Sequence, residues 1–295
     1  MAGLKEIRRR LKSVNNTKKI TYAMKLVSAA KLRKTQEAVV RSRAYTDALK
    51  GVLAQLGMGG DYSHPLLEPR PTVRRIRVLV LGGARGLSGA YNTNVNRTVE
   101  AVARDLASKH PGAQVSWVLL GKKPAEYFRR VGRQYDEALE NLADDPNGWP
   151  INDVCQKLEI GFLKEEFDEL HIIYTRFRSA ISLVPTVEQL FPLSREALSG
   201  DGAGTPAERN DIALYEPNPQ RVFDAVVPRI VRAMVRQAAF DTKASEHASR
   251  MTAMDNATKN ASELIDTLTL KRNKLRQTGI TNQLLDIVGG AEALK

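Results

Sequence analysis

The clearest pattern along the chain is a pair of long segments without glycine or proline, one near each end. Residues 4–50 and residues 229–278 consist mostly of good helix formers. At 1.5 Å per residue, they predict helices of roughly 70 Å and about 75 Å. Helix-breaking residues are expected to end or interrupt them, namely Gly51, Gly57, Gly59, Gly60 and Pro65 for the first, and Gly279, Gly289 and Gly290 for the second.

Apolar residues in the second segment recur at alternating intervals of three and four, the spacing of a coiled-coil seam. The ten positions of this predicted seam are Ala244, His247, Met251, Met254, Thr258, Ala261, Ile265, Leu268, Arg272 and Leu275. The first segment begins with the same spacing at Leu4, Ile7, Leu11 and Val14. It then changes register at Asn15 and Asn16 and resumes at Ile20, Ala23 or Met24, Val27 and Ala30. We therefore predict an antiparallel coiled coil, with two helices of an ordinary bundle as the alternative.

Between these segments, short apolar runs alternate with amphipathic stretches. Predicted strands cover residues 76–81, 114–120, 169–176, 180–190 and 212–215, and predicted helices cover residues 92–109, 122–131 and 151–166. The strands at 169–176 and 180–190 are close enough to pair as a hairpin. This order predicts an α/β fold with a mostly parallel sheet and an antiparallel edge.

Residues 82–89 form a glycine-rich turn between a strand and a helix, where phosphate binds in some proteins. The spacing matches neither the P-loop nor G-x-G-x-x-G, so a tight turn is the simpler interpretation. Ser88 does not lie in a nucleophile elbow, because Gly89 comes one place early. One cysteine, Cys155, and four scattered histidines predict neither a metal site nor a disulfide.

Positive charge is concentrated at one end of the chain. Residues 1–50 carry 14 Lys and Arg against three acids, almost the whole of the net charge of +12. Such a segment favours an acidic partner, either a protein surface or a nucleic acid, and the charge pattern does not choose between them. No apolar run approaches the roughly 20 residues of a membrane helix, and the basic N-terminus does not have the pattern of a secretory signal.

Both ends of the chain resemble the gamma subunit of bacterial F-type ATP synthases. The N-terminal motifs are residues 4–10 (LKEIRRR), 17–21 (TKKIT) and 24–34 (MKLVSAAKLRK). The C-terminal motifs are ASE at 244–246, then Arg250, Met251, Ala253, Met254, Ala257, Thr258, Asn260, Asn273, Lys274, Arg276, Gln277, Ile280 and Thr281, then LDIVGGA at 285–291. Further matches lie at 85–89 (RGLSG) and 214–217 (LYEP).

The resemblance implies a fold and a role. It implies a coiled-coil helix over residues 1–60, a Rossmann-like α/β domain over 72–210, and a second coiled-coil helix over 211–295. It implies a central-stalk rotor that couples proton flow through a membrane sector to ATP synthesis or hydrolysis at an alpha–beta ring. This rotor would have no catalytic residues, cofactor or metal of its own and would lie on the cytoplasmic face of the plasma membrane. The implied partners are three alpha and three beta subunits, an epsilon subunit and the c-ring, with no nucleic acid and no membrane span.

The resemblance also implies which residues touch those partners. Contacts with the alpha–beta ring are expected at Met24, Lys25, Arg276, Gln277, Thr281, Leu285, Ile287 and Val288. Contacts with the epsilon subunit and c-ring are expected at Tyr215 and Glu216. A nucleic-acid-binding coiled coil and a nucleotide-binding enzyme remain the alternative functions. Ser88 stands where many relatives have cysteine, and a single cysteine excludes the paired regulatory cysteines of chloroplast gamma subunits.

Overall fold

A computed structural model describes residues 2–58, 62–194, 216 and 218–292. The elements, in chain order, are α1 (Ala2–Met58), β1 (Arg75–Leu81), α2 (Tyr91–Lys109), β2 (Gln114–Leu120), α3 (Lys122–Arg130), β3 (Glu137–Leu139), α4 (Ile151–Leu163), β4 (Glu169–Phe177), β5 (Leu183–Phe191) and α5 (Pro219–Glu292). Short 3₁₀ turns cover Pro65–Leu67 and Pro146–Gly148. The predicted strand at 212–215 lies outside the described residues.

The two terminal helices are longer than the segments without glycine or proline, residues 4–50 and 229–278, predict. Helix α1 continues through Gly51 and Gly57, and α5 continues through Gly279, so the predicted breaks at these positions are wrong. Helix α5 ends at Glu292, two residues beyond the end predicted at Gly289 and Gly290. A glycine inside a helix costs only about 1 kcal/mol relative to alanine. Beyond Gly51, burial of Leu53 and Leu56 in the core outweighs that cost.

The chain divides into two compact units: residues 1–29 with 250–295, and residues 30–249. In the first unit, α1 and α5 pair side by side. Ile7 and Leu11 pack in one cluster with Leu268. Further along α1, the Thr21 hydroxyl lies 2.8 Å from that of Thr258. As residue numbers rise along α1, those of the contacting residues on α5 fall, which confirms the predicted antiparallel pair.

The seam of this pair follows a different face of α1 from the one predicted. Thr21 and Ser28 are buried, whereas Ile20 and Val27 are 60% and 55% exposed. Buried positions on α1 therefore continue the spacing set by Ile7, and the predicted register change is wrong. Small hydroxyl side chains occupy the seam, and the apolar residues that suggested the change lie on the outer surface.

The second unit contains a five-stranded sheet in the order β3–β2–β1–β4–β5. Strands β1 to β4 run parallel to their neighbours, and β5 pairs antiparallel with β4. This confirms the predicted parallel sheet with an antiparallel edge. Strand β3 was missed, because three residues are too few to show a periodic pattern.

Helices cover both faces of the sheet. On one face, Val78 and Val80 pack with α2 and α3, where Phe128 is fully buried. On the other face, Leu79 and Leu81 pack in a cluster that includes α4 and the parts of α1 and α5 belonging to this unit. The terminal helices therefore supply one of the two layers that bury the sheet.

Gly121, between β2 and α3, is the glycine that the fold constrains most clearly. Its φ is +119°, and an added Cβ would lie 2.5 Å from the carbonyl oxygen of Gly82. Gly132 also has a positive φ, of +68°, but nothing lies within 4 Å of its Cβ position. Comparing alanine substitutions at these two glycines therefore separates the cost of backbone strain from the cost of a steric conflict.

We predict that Gly121→Ala lowers the free energy of unfolding by about 2–4 kcal/mol, against about 1 kcal/mol for Gly132→Ala. Urea unfolding followed by tryptophan fluorescence measures this, because both tryptophans, Trp117 and Trp149, are buried within residues 30–249. Equal losses for the two variants would contradict the steric explanation.

Candidate functional site

In the first unit, α1 carries exposed apolar side chains on both sides of its seam. Ile20 and Val27 lie on one side and Tyr22 and Leu26 on the other, each at least half exposed. Burying one such side chain is worth about 1.5–3 kcal/mol, so these surfaces are suited to a protein partner. The sequence analysis missed the first of these surfaces, because it assigned Ile20 and Val27 to the seam.

Lys25, predicted to contact the ring, is half-buried and bonded within the helix pair. Its Nζ donates to Asp255 Oδ1 at 2.6 Å, and Lys259 Nζ lies 2.9 Å from the other carboxylate oxygen. These two lysines hold the pKa of Asp255 below its usual value, the Lys25 hydrogen bond having the larger effect. Met24, its neighbour, is also half-buried. Their contact with a ring stays a prediction.

The far end of α5 carries the other predicted ring contacts. Beyond Leu275, whose Cδ1 lies 4.0 Å from the Cβ position of Gly3, the described side chains of α5 are exposed. Arg276, Gln277 and Thr281 are among them. The apolar members are Ile280, Leu284, Leu285, Ile287 and Val288, which are 50–68% exposed. This end therefore presents a run of apolar side chains that α1 does not cover.

The glycine-rich turn in the second unit binds α5. The backbone N–H of Arg85 donates to Glu246 Oε1 at 3.4 Å, and Ser249 Oγ donates to the Ser88 carbonyl at 2.7 Å. Tyr91, at the start of α2, donates from its hydroxyl to the Thr242 carbonyl at 3.3 Å. An internal carboxylate thus occupies the position considered for phosphate. The RGLSG and ASE motifs therefore contact each other in the folded chain.

Lys243 is the centre of a buried ionic cluster next to this contact. Its side chain is 2% exposed, and its Nζ lies 3.0 Å from Asp144 and 2.9 Å from Glu246. Asp144 also accepts from Lys31 at 2.6 Å. Burial alone would raise the pKa of Asp144, but the hydrogen bond from Lys31 and the charge of Lys243 outweigh it and lower the pKa. The cluster joins α1, α5 and the segment before α4.

Asp241, two residues earlier on α5, is almost completely buried. Burial raises its pKa to about 6, although Gln237, Arg43 and the Phe177 amide all favour the charged form. Gln237 Nε2 donates to the carboxylate at 3.1 Å, and Gln237 Oε1 has no hydrogen-bond partner among the described groups. The burial of Asp241 therefore outweighs the contacts that favour its charged form.

The predicted foot contacts are only partly described. Tyr215 lies outside the described residues, as do the loop residues 200–206, and Glu216 is exposed. The described residues contain no cluster of three or more side chains suited to hold a metal ion. Among the described helices, none has an apolar stretch long enough to cross a membrane.

These features define a class of protein in which long terminal helices pair with each other and also cover an α/β sheet. The family model described as ATP synthase matches residues 3–294. The ATP synthase gamma chain of Nostoc punctiforme is 40% identical over 317 aligned residues, and that of Moorella thermoacetica is 38% identical over 297, each covering 100% of both chains. The chain belongs to the ATP synthase gamma-chain family.

Solved structures agree with this fold. The chain resembles one from the mitochondrial ATP synthase of Euglena gracilis, in a structure of its OSCP, F1 and c-ring, with a TM-score of 0.67 and 21% identity. The similarity covers 99% of this chain and 95% of that one. A chain of the Tetrahymena thermophila central stalk and c-ring gives a TM-score of 0.56 at 22% identity, covering 81% of this chain and 99% of that one.

The register of the helix pair can be tested by a disulfide. We predict that Thr21→Cys with Thr258→Cys oxidises readily, because the two hydroxyl oxygens are 2.8 Å apart. The matched control pairs Thr21→Cys with Ser262→Cys, one turn further along α5, and should cross-link much more slowly. Gel mobility with and without reductant measures both, and equal rates would contradict the register.

The pH dependence of the free energy of unfolding should reveal the raised pKa of Asp241. Its pKa of about 6 exceeds the unfolded value of about 3.9, so the folded state binds the proton more tightly. Its contribution is complete below about pH 4 and is lost as the pH rises through 6. We predict that Asp241→Asn gains about 1–3 kcal/mol relative to wild type between pH 4.5 and pH 7.5. Urea titrations of both proteins at both pH values measure this gain. An equal difference in the free energy of unfolding at the two pH values would contradict the prediction.

Proposed function

We propose that this chain is the central-stalk rotor of an F-type ATP synthase, which couples rotation to ATP synthesis or hydrolysis in a surrounding ring. Its partners would be three alpha and three beta subunits, an epsilon subunit and the c-ring. The chain itself would supply no catalytic group. The proposed location is peripheral, on the cytoplasmic face of the plasma membrane.

One observation carries this proposal: the paired helices leave apolar side chains exposed on α1 and at the end of α5. An isolated protein gains nothing from exposed Ile20, Val27, Ile287 and Val288, whereas a ring lined by apolar loops would cover them. The full-length match to gamma chains supports the same conclusion.

The structure of the helix pair suits a rotating shaft. Burial of Thr21 and Ser28 places small side chains in the seam, and such residues allow two helices to approach closely. Continuous hydrogen-bonded helices are stiff along their axis, so a pair of them can transmit torque. The apolar side chains at the tip of α5 would form a bearing, because apolar contacts have no fixed direction and can exchange as the shaft turns.

Exposed basic residues would add a long-range electrostatic attraction between the shaft and the ring. Arg8, Arg9 and Arg10 are exposed, and none of them forms an ion pair with a described carboxylate. Attraction to acidic loops of the ring would keep the shaft centred. Exposed ion pairs are individually worth about 0–1 kcal/mol, so they would not lock it in one position. Arg276, Gln277 and Thr281 would make a polar contact with a beta subunit.

Reconstitution with a purified alpha–beta ring tests the proposal. Native mass spectrometry should find one chain per ring, and a bead fixed to the chain should rotate during ATP hydrolysis. The chain alone should hydrolyse no ATP. More than one chain per ring, rotation absent from an active complex, or hydrolysis by the chain alone would each refute the assignment.

Single substitutions test the apolar surfaces. We predict that Val27→Ser and Ile287→Ser each weaken ring binding about tenfold or more, because each removes an apolar side chain that the ring would bury. The matched control is Ile181→Ser, since Ile181 is 94% exposed but lies in the second unit. Ring affinity by calorimetry measures the effect, and equal losses at positions 181 and 287 would contradict it.

A further inference from the structure

A concave groove of about 520 Å³ lies within residues 30–249, between α1 and α5. Four arginines line it: Arg41 from α1, and Arg229, Arg232 and Arg236 from α5. The three on α5 are three and four residues apart, which places them along one face of the helix. Arg41 comes from the facing helix, so cationic side chains border the groove on two sides.

The positive charge of the groove is largely uncompensated. Arg232 is neutralised, because its guanidinium donates to Glu159 at 3.2 Å and 2.7 Å. Arg41, Arg229 and Arg236 form no ion pair with any carboxylate in the described chain. Guanidinium groups stay charged at every physiological pH, so three of the four arginines bring a positive charge that no direct ion pair neutralises. An anion placed among them would relieve their mutual repulsion.

The other lining residues suit a small polar ligand. Asn147 and Asn152 contribute amides that can donate hydrogen bonds, and Tyr45 presents a ring that is 55% exposed. Asn152 lies in the first turn of α4, where the N-cap residue Pro150 makes no side-chain cap. Asp153 in the same turn already places a carboxylate at the positive end of that helix dipole, so the attraction for an anion rests on the arginines. The side chain of Phe240 supplies a buried apolar wall.

We propose that this arginine groove is a binding site for a phosphate-bearing anion, separate from the surfaces assigned to the rotor. Planar guanidinium forks match the oxygens of phosphate, and several can share one phosphate group. The groove is concave and bordered by cations from two helices, which favours a compact polyanion over an extended acidic peptide. Free polyphosphates and the head groups of anionic lipids share this chemistry.

Calorimetry of the full chain with pyrophosphate, at about 50 mM salt to limit screening, tests the site. We predict saturable binding of one pyrophosphate per chain. The double variant Arg229→Gln with Arg236→Gln should weaken it about a hundredfold, about tenfold for each charge-assisted contact. The matched control, Arg97→Gln with Arg221→Gln, changes the net charge equally at exposed positions outside the groove, and should shift the affinity less than about twofold.

Thermal unfolding provides a second readout that does not depend on heat of binding. Pyrophosphate should raise the unfolding temperature of the wild type and of the control, and leave the groove variant unchanged. Without the anion, the groove variant should be at least as stable as the wild type, because it lacks the arginine repulsion. A loss of stability in the groove variant without ligand would contradict the proposed charge imbalance.

Vesicle flotation separates the two sources of phosphate. If the source is lipid, phosphatidylglycerol vesicles should bind the wild type and release the groove variant, and phosphatidylcholine vesicles should bind neither. If it is a free anion, only pyrophosphate should show the dependence on Arg229 and Arg236. Equal losses in the groove and control variants, no saturable binding of either ligand, or tighter binding of a hexaglutamate peptide would each overturn the proposal.

Discussion

The ammonium group of Lys243 is the constraint on which the larger unit of the structure depends. A buried cation is tolerated only if carboxylates surround it, and Asp144 and Glu246 do so. Each carboxylate also binds a second element: Asp144 accepts from Lys31 of α1, and Glu246 accepts from the Arg85 amide of the glycine-rich turn. The positions of two long helices and of the first βα turn are therefore coupled through one charge.

The helix pair of the smaller unit follows a different rule. Its seam uses hydroxyl and small side chains such as Thr21, Ser28 and Ala261, while several larger apolar residues of α1 face outward. Packing within this pair alone would favour the reverse arrangement, with the large apolar residues in the seam. The exposure of Ile20 and Val27 is explained if a partner protein covers these two side chains.

Much of the α/β fold could be predicted from the sequence, because β1 and β2 each end in four consecutive apolar residues, 78–81 and 117–120, followed by a glycine. Strand β3 and the extensions of α1 and α5 could not, since a three-residue strand has no periodicity and glycine only weakly opposes a helix. Spacing identified apolar positions on α1 but not which neighbour covers them. Ring contacts such as Arg276 could be named only by resemblance. The Lys243 cluster and the arginine groove combine residues from distant segments, which no local pattern connects.

The antiparallel register also has a consequence for biosynthesis. Ile7 and Leu11 emerge from the ribosome long before their partner Leu268. Contacts between such distant segments form slowly, because the entropy of closing the chain is lost before any contact compensates for it. The sheet can begin to fold while translation continues, whereas Ile7 and Leu11 stay without their partner until Leu268 has been made. A nascent helix with unburied leucines and a dense positive charge is a natural client for chaperones during that interval.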